Sequence, residues 1–323
     1  MKLKKIKRMV AVGTAILMTL SLAGCGIGSD SVKLGAAGVG GGYYAFSNAF
    51  AQIASSEDED LDFEVKATAG STANIRLLSD GYVDMAIAQA DLVDAAYNGT
   101  GATDKKRYRG YSAVASLYTE ACQIVVRSDS GIDSLDDLQG KKISVGEEES
   151  GTQRNAEQIL KMTGLVESLV DTVNLDYVDA ANELKSGQID AFFCTAGIQT
   201  SVIEELSKEC DVKLIGIDDK CRDRLKSVYG FYTDYTIPAG TYEGQTQDVV
   251  TLGVRAVLLA RDDMDEKIVE ELTGLLFEHA QDIQYSIALT FQIDESEAVK
   301  NVTIPFHDGA KAYYQKKGIE IPA

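Results

Sequence analysis

The sequence predicts an α/β protein built from two related lobes around a shared cleft. Three observations carry that prediction. Strand-like and helix-like segments take turns along the chain, which is the pattern of α/β units with parallel strands. One helix–glycine–strand pattern occurs twice. Glycine, serine and threonine gather where strands pass into helices.

The elements follow in order. Val32 and Leu34 begin a strand that enters the stretch GAAGVGGGYYAFSNAF at 35–50, and a helical pattern leaves it. This glycine loop is no nucleotide fingerprint. Gly38 and Gly40 fit the first half of G-x-G-x-x-G, but Tyr43 stands where the last glycine belongs, and Tyr43 and Tyr44 occupy the Lys-Ser/Thr places of a P-loop. What remains is a loop whose glycines let backbone approach a ligand, with helix N–H groups that attract an anion, or else a tight turn without a ligand. A strand is expected at 65–67, a helix at 73–78 and a strand at 83–88. Further strands are expected at 123–126 and 142–145, then a helix from Thr152, a strand at 173–178 and a helix from Ala180.

The repeated pattern is LLSDGYVDMAIAQA, ending at Ala90, and ELKSGQIDAFFCTA, ending at Ala196. Leu78, Gly81, Val83, Asp84 and Ala90 match Leu184, Gly187, Ile189, Asp190 and Ala196 at a constant offset of 106 positions. Each copy reads as a helix end, a glycine that stops it, an aspartate in the turn and an apolar strand. Ligands in such sheets sit beyond the C-terminal ends of strands. That places Gln89 and Asp91 on one rim of a cleft and residues 195–197 on the other. Asp84 and Asp190 read as turn residues. The other junctions, TAGSTANI (68–75) and GEEESGTQRNA (146–156), present hydroxyls and N–H groups at helix starts. Capping alone explains either one. Three such junctions in one chain favour a cleft that holds an anion.

Composition narrows the partners. The 323 residues carry a formal charge of −19. No basic stripe exists to neutralise phosphates, so nucleic acid is excluded as a partner, as is flat binding to anionic lipid. With two histidines (His279, His307) and no CxxC, no metal site is expected, and no cofactor. There is no G-x-S-x-G, no H-E-x-x-H and no cysteine beside a histidine, so an enzyme is not expected. Cys122 and Cys194 read as buried thiols, while Cys210 and Cys221 leave a disulfide open.

The N-terminal residues bear on location. Lys2, Lys4, Lys5, Lys7 and Arg8 precede an apolar run at 9–22, too short for an ordinary spanning helix, and Leu22-Ala23-Gly24-Cys25 follows. This resembles the lipobox of bacterial lipoproteins, which implies cleavage before Cys25 and a lipid on its sulfur. Processing would remove five bases and no acid, leaving 299 residues with a charge of −24.

At the junction residues the chain resembles the TAXI family, the extracytoplasmic solute receptors of TRAP-type transporters. The features that carry the resemblance run in order: Gly-Gly-Tyr-Tyr at 41–44, TAGSTANIRLL at 68–78, VDMAIAQAD at 83–91, the long stretch from Leu117 to Gly146 with Glu120, SGT at 150–152, GQIDAFF at 187–193 and IPAGTYEG at 237–244. The chain departs from the family pattern at Ala36-Ala37, at Glu148-Glu149 before Ser150, and at Thr119. The resemblance implies a two-lobed, type II periplasmic-binding-protein-like fold with the ligand cleft between lobes that close by hinge motion. The expected division is a signal peptide at 1–24, a tether at 25–31, one lobe of 32–118 plus about 255–323, and a second of 119–254. The expected protein is a monomeric receptor, lipid-anchored through Cys25 at the outer face of a bacterial membrane. It hands a small organic anion or an amino acid, glutamate- or glutamine-like, to membrane-embedded TRAP-type subunits. A dicarboxylate receptor and a ligand-sensing lipoprotein are the alternatives.

The expected ligand-binding residues are Gly41, Gly42, Tyr43, Tyr44, Thr68, Ser71, Asn74, Gln89, Glu120, Ser150, Gly151, Thr152, Arg154 and Gly197. For an amino acid, the carboxylate would lie against the helix start at 150–152, helped by Ser71 and Asn74, and Glu120 would accept the ammonium. Gln89 suits a polar contact, and Tyr43 or Tyr44 a lid. For a dicarboxylate, Arg154 would supply the counter-charge. The structural alternatives are that Glu120 holds hinge backbone and that Arg154 is solvated.

Overall fold

The computed structural model describes residues 31–101, 105–166, 168–287 and 293–322. The leader and Cys25 lie outside them, so the lipid-anchor expectation has no structural counterpart. No helix among the described residues is long and apolar enough to cross a membrane.

In chain order the first unit is β1 (Val32–Gly35), α1 (Gly42–Glu57), β2 (Phe63–Lys66), α2 (Ser71–Ser79), β3 (Met85–Gln89) and α3 (Ala90–Asn98). A long strand, β4 (Tyr111–Arg127), leads to the second unit: β5 (Lys142–Ser144), α4 (Gly151–Thr163), β6 (Asp171–Val173), α5 (Tyr177–Ser186), β7 (Ala191–Ala196) and α6 (Ser201–Glu209). Then come β8 (Val212–Leu214), α7 (Asp219–Val228), β9 (Thr233–Ile237) and a second long strand, β10 (Val249–Arg261). The helices α8 (Glu266–Glu278), α9 (Ala280–Ser286) and α10 (Asp308–Lys317) complete the fold.

Local chemistry explains the elements that frame the site. β3 and β7 are buried at every residue, the signature of strands covered on both faces. α1 buries Tyr43, Phe46, Ser47, Phe50 and Ala54, a helical stripe. The Ser150 hydroxyl oxygen accepts the Gln153 N–H at the start of α4, and Gly164 ends that helix at φ +86°.

The strands run β2-β1-β3-β10-β4-β7-β5-β6, with β8 beside β4 and β9 beside β10. The order reads alike from either end: three parallel strands, then one long antiparallel strand, on each side. The 106-residue offset is therefore structural. Gly81 and Gly187 both sit at φ +75°. The Asp84 carboxylate accepts the Lys33 N–H of β1 at 2.9 Å, and the Asp190 carboxylate the Lys142 N–H of β5 at 2.8 Å. Each aspartate thus pins its strand to the start of its parallel neighbour.

β4 and β10 cross from one half of the sheet to the other, with register shifts between Arg255 and Leu259. The apolar core divides at the same place. One cluster takes its buried residues from 34–118 and 256–314. The remaining clusters take theirs from 121–254.

One expectation needs correction, and one open question is answered. The strand expected at 173–178 ends at Val173, and a helix begins at Tyr177 because the Asp176 carboxylate accepts the Asp179 N–H. Cys210 and Cys221 are both free, so no disulfide joins them. Cys122 and Cys194 are buried free thiols, as expected.

Candidate functional site

Between the two halves of the sheet lies a small cavity onto which four helix starts converge. From the first half come Ala37 and Gly38 of the glycine loop, Gly41, Gly42 and Tyr43 at the start of α1, Ala69, Gly70 and Ser71 at the start of α2, and Gln89 at the end of β3. Glu120 enters from the middle of β4. From the second half come Glu147, Ser150, Gly151 and Thr152 before and within α4, Asp176 and Tyr177 at the start of α5, and Thr195 and Ala196 at the end of β7. The space measures about 40 Å³. With roughly 10–15 Å³ needed per water on this measure, it suits a few waters or one compact solute, and a nucleotide does not fit.

Glu120 is 3% exposed and accepts a hydrogen bond from the Tyr43 hydroxyl at 2.6 Å. Burial pushes its carboxyl up to about 8, with the Tyr43 and Gln89 side chains pulling it partway back. Gln89 donates its amide to Asn155 Oδ1 across the two halves at 3.0 Å, while its Oε1 is buried without a partner. Asn155 donates in turn to Tyr232, which donates to Gln158, at 2.7 and 2.5 Å. A buried acceptor without a partner costs about 1–3 kcal/mol. Glu120 and Gln89 Oε1 together offer acceptors to a donor-bearing group.

On the opposite wall the Tyr177 hydroxyl donates to the Thr195 carbonyl at 3.1 Å and lies 2.6 Å from Thr152 Oγ1. Its proton being committed, Thr152 is the donor of the second bond. Thr152 Oγ1 also accepts the Thr195 N–H at 3.1 Å. This network fixes the start of α4 against the end of β7.

The two halves are held together over the cavity. The Glu149 carbonyl accepts the Thr72 and Ala73 N–H groups at the start of α2, at 3.1 and 3.2 Å. Arg76 makes two bonds to the Glu149 carboxylate, at 3.1 and 2.6 Å. Glu149 itself takes the left-handed conformation, φ +62°. On the far side, Ser201 Oγ donates to the Gly40 carbonyl at 3.0 Å. Both partners of the Arg76–Glu149 pair are more than a third exposed, so its worth is about 0.5 kcal/mol. Arg76→Ala is therefore expected to weaken binding of a solute enclosed here about two- to three-fold. The effect should shrink at high salt, as titrations at two ionic strengths would read.

The structure brings Gly41, Gly42, Tyr43, Ser71, Gln89, Glu120, Ser150, Gly151 and Thr152 to one cavity. Five expected residues lie outside its lining. Thr68 and Asn74 hold backbone: the Thr68 hydroxyl shares its one proton between Asn74 Oδ1 and the Ala36 carbonyl, and the Asn74 amide donates to the carbonyls of Gly35, Ala36 and Ile87. They clamp the glycine loop to β3. Asn74→Ala is expected to cost about 2–3 kcal/mol through the carbonyls it strands, measurable by denaturant unfolding. Tyr44 is half-buried beside the cavity, its carbonyl accepting from Asn48. The Gly197 carbonyl serves Thr200. Arg154 pairs with Glu157 at 3.4 Å and borders surface hollows instead, so the counter-charge expected of it for a dicarboxylate does not reach the cavity. Asp91, expected on the rim, is turned away into one of those hollows.

Glu147, Asp176 and Tyr177 line the cavity without having been expected there. One signal could have found Tyr177. The 106-residue offset carries Ser71, the first residue of α2, onto Tyr177, the first of α5. Glu147 carried no such signal in an acidic run.

A model of the NMT1-like family matches residues 34–318, which span nearly all of the described residues. The chain belongs to the NMT1-like family. Among solved structures, this NMT1-like chain is similar to a protein of Bordetella bronchiseptica RB50. The two are 16% identical with a TM-score of 0.58, over 89% of this chain and 98% of that one. It is also similar to MatC from Rhodopseudomonas palustris, solved with bound malate. There the identity is 14% and the TM-score 0.58, over 83% and 91%. A third is a putative L-cystine ABC transporter protein from Listeria monocytogenes, 14% identical with a TM-score of 0.50, over 79% and 93%. At these identities the likeness is one of fold: the NMT1-like chain has the two-lobed, type II periplasmic-binding-protein architecture, with its cavity between the lobes.

Proposed function

We propose that this NMT1-like chain is a lipid-anchored, extracytoplasmic receptor for a small amino acid, without catalytic activity of its own. One observation carries the reading: Glu120 and the unpartnered Gln89 Oε1 face the same small cavity as the N–H groups at the starts of α1 and α4. An α-amino acid has a cation and an anion one carbon apart, and this pairing suits both. The lobes would be 32–118 with about 255–323, and 119–254, which agrees with the division of the apolar core. β4 and β10 would be the hinge between them.

The motifs shared with TAXI receptors favour delivery to a TRAP-type transporter. The Listeria neighbour bears an ABC transporter name, so the partner's type is an experimental question. Co-purification from membranes of the native cell, followed by identification of the captured subunits, decides it. Cys25→Ala should move the protein from the membrane fraction to the medium or periplasm.

The test of the receptor reading is calorimetric titration of the purified chain, stripped of bound solute by unfolding and refolding. Glutamate, glutamine, succinate and 2-oxoglutarate make the first panel. Binding of an amino acid supports the reading. Binding of the two diacids alone would replace it with the dicarboxylate receptor and remove the ammonium role from Glu120.

A further inference from the structure

The acidic side chains that line the cavity are Glu120, Glu147 and Asp176, and no Lys, Arg or His stands among the described lining residues. Of the four positive helix ends at the cavity, two are already engaged by the protein's own oxygens. The start of α5 is occupied by its own Asp176, whose Oδ1 accepts the Asp179 N–H at 2.8 Å. The start of α2 has its Thr72 and Ala73 N–H groups on the Glu149 carbonyl. At α4, Ser150 takes the Gln153 N–H and leaves Gly151 and Thr152. No side chain caps α1. The remaining donors are the N–H groups at the starts of α1 and α4, which suit the α-carboxylate of an amino acid.

Glu147 reaches across the cavity. Its Oε2 would lie 4.0 Å from a Cβ placed on Gly38 of the glycine loop. Burial, and after it the Asp176 charge, already push the Glu147 carboxyl above its usual value. A further anion beside this pair would meet repulsion with no cation to relieve it.

We infer that the cavity selects amino acids by side-chain charge, binding a neutral side chain in preference to its acidic isostere, with Glu147 and Asp176 as the rejecting groups. This rests on the amino-acid reading above and narrows it from glutamate-or-glutamine to the amide. Discrimination of this kind comes from a repulsive element built against the competitor. Both residues are suited to that role because neither charge is neutralised by a basic neighbour in the lining.

The test uses isosteric pairs, which separate charge from size. The purified full chain is titrated with glutamine, glutamate, asparagine, aspartate and alanine at pH 7. The amide of at least one pair is expected to bind about tenfold or more tighter than its acid. Glu147→Gln and Asp176→Asn should each shrink that ratio chiefly by improving the acid, and asparagine keeps the cap on α5. Glutamate or aspartate binding as tightly as its amide would overturn the inference and leave the receptor standing. So would a ratio unchanged in both variants, or alanine bound with amides and acids excluded alike. Failure of all five to bind would overturn the amino-acid reading and this inference together.

Discussion

Glu120→Gln is expected to remove most of the affinity for an amino acid, by about 2–5 kcal/mol, the usual loss when one member of a buried charge pair is truncated. Glutamine keeps the shape and can still accept the Tyr43 hydroxyl, so folding should survive while binding does not. The pH dependence is the more specific signature. With the halves together and no ligand between them, burial pushes the Glu120 carboxyl up to about 8, so about a tenth of the molecules in that arrangement carry it ionised at pH 7. An ammonium binds the ionised form. Affinity should therefore rise about tenfold per pH unit below that value and level off above it, while the ligand remains a cation. Binding at pH 7 should release close to one proton, read by calorimetry in buffers of different ionisation enthalpy. Glu120→Gln should abolish both the release and the slope. An affinity that falls as pH rises through 8 would mean that protonated Glu120 donates to the ligand, and would overturn the ammonium assignment.

Gly151→Ala is expected to weaken binding about tenfold or more while leaving the unliganded protein as stable as before. A Cβ at Gly151 would lie 2.5–2.7 Å from the amide end of Gln89. That amide belongs to the other half of the sheet and is tied to Asn155 at 3.0 Å. Turning it aside would break this bond and push the side chain into the cavity, an overpacking cost of about 1–3 kcal/mol. Because the clash lies between halves, parting them relieves it, and only the closed, ligand-holding arrangement bears the cost. Titration should show the affinity loss. Small-angle scattering should show a smaller compaction on adding ligand, and thermal unfolding without ligand should be unchanged. A drop in unliganded stability would mean that the contact belongs to the fold and not to closure. Gly41 is under the same constraint, a Cβ there meeting the Tyr177 ring at 3.2 Å. The glycine loop thus exists for close approach, and the first thing it approaches is the opposite half of the protein.

Much of the scaffold was legible because it is written in short-range pattern. The buried strands β3 and β7 show as apolar runs, and the glycines at 81 and 187 mark helix ends that need a left-handed residue. The matched aspartates mark the strand starts they pin. Where reading failed, one residue usually outweighed its neighbours. Val173, Leu175, Tyr177 and Val178 suggest a continued strand, and the Asp176 cap turns the chain into a helix instead. Thr68 and Asn74 stand at a strand-to-helix junction, where polar side chains serve a ligand or the backbone equally well, and their bonds run to backbone. Arg154 lies one turn from Gly151 yet faces outward, because the inward face of α4 is taken by Thr152, Asn155, Ile159 and their neighbours.

By itself the sequence determined the alternation of strands and helices, the internal repeat, the acidic charge and the helix starts that could hold an anion. These depend on residues near one another in the chain. Only the tertiary structure decided which of those helix starts keep free N–H groups, that Glu120 stands buried beside Gln89, and that the described lining of the cavity holds three carboxyl groups and no cation. Those facts depend on two halves brought face to face by strands that cross between them, and on how completely water is excluded there. No local pattern encodes the distance between Glu147 and the glycine loop more than a hundred residues away.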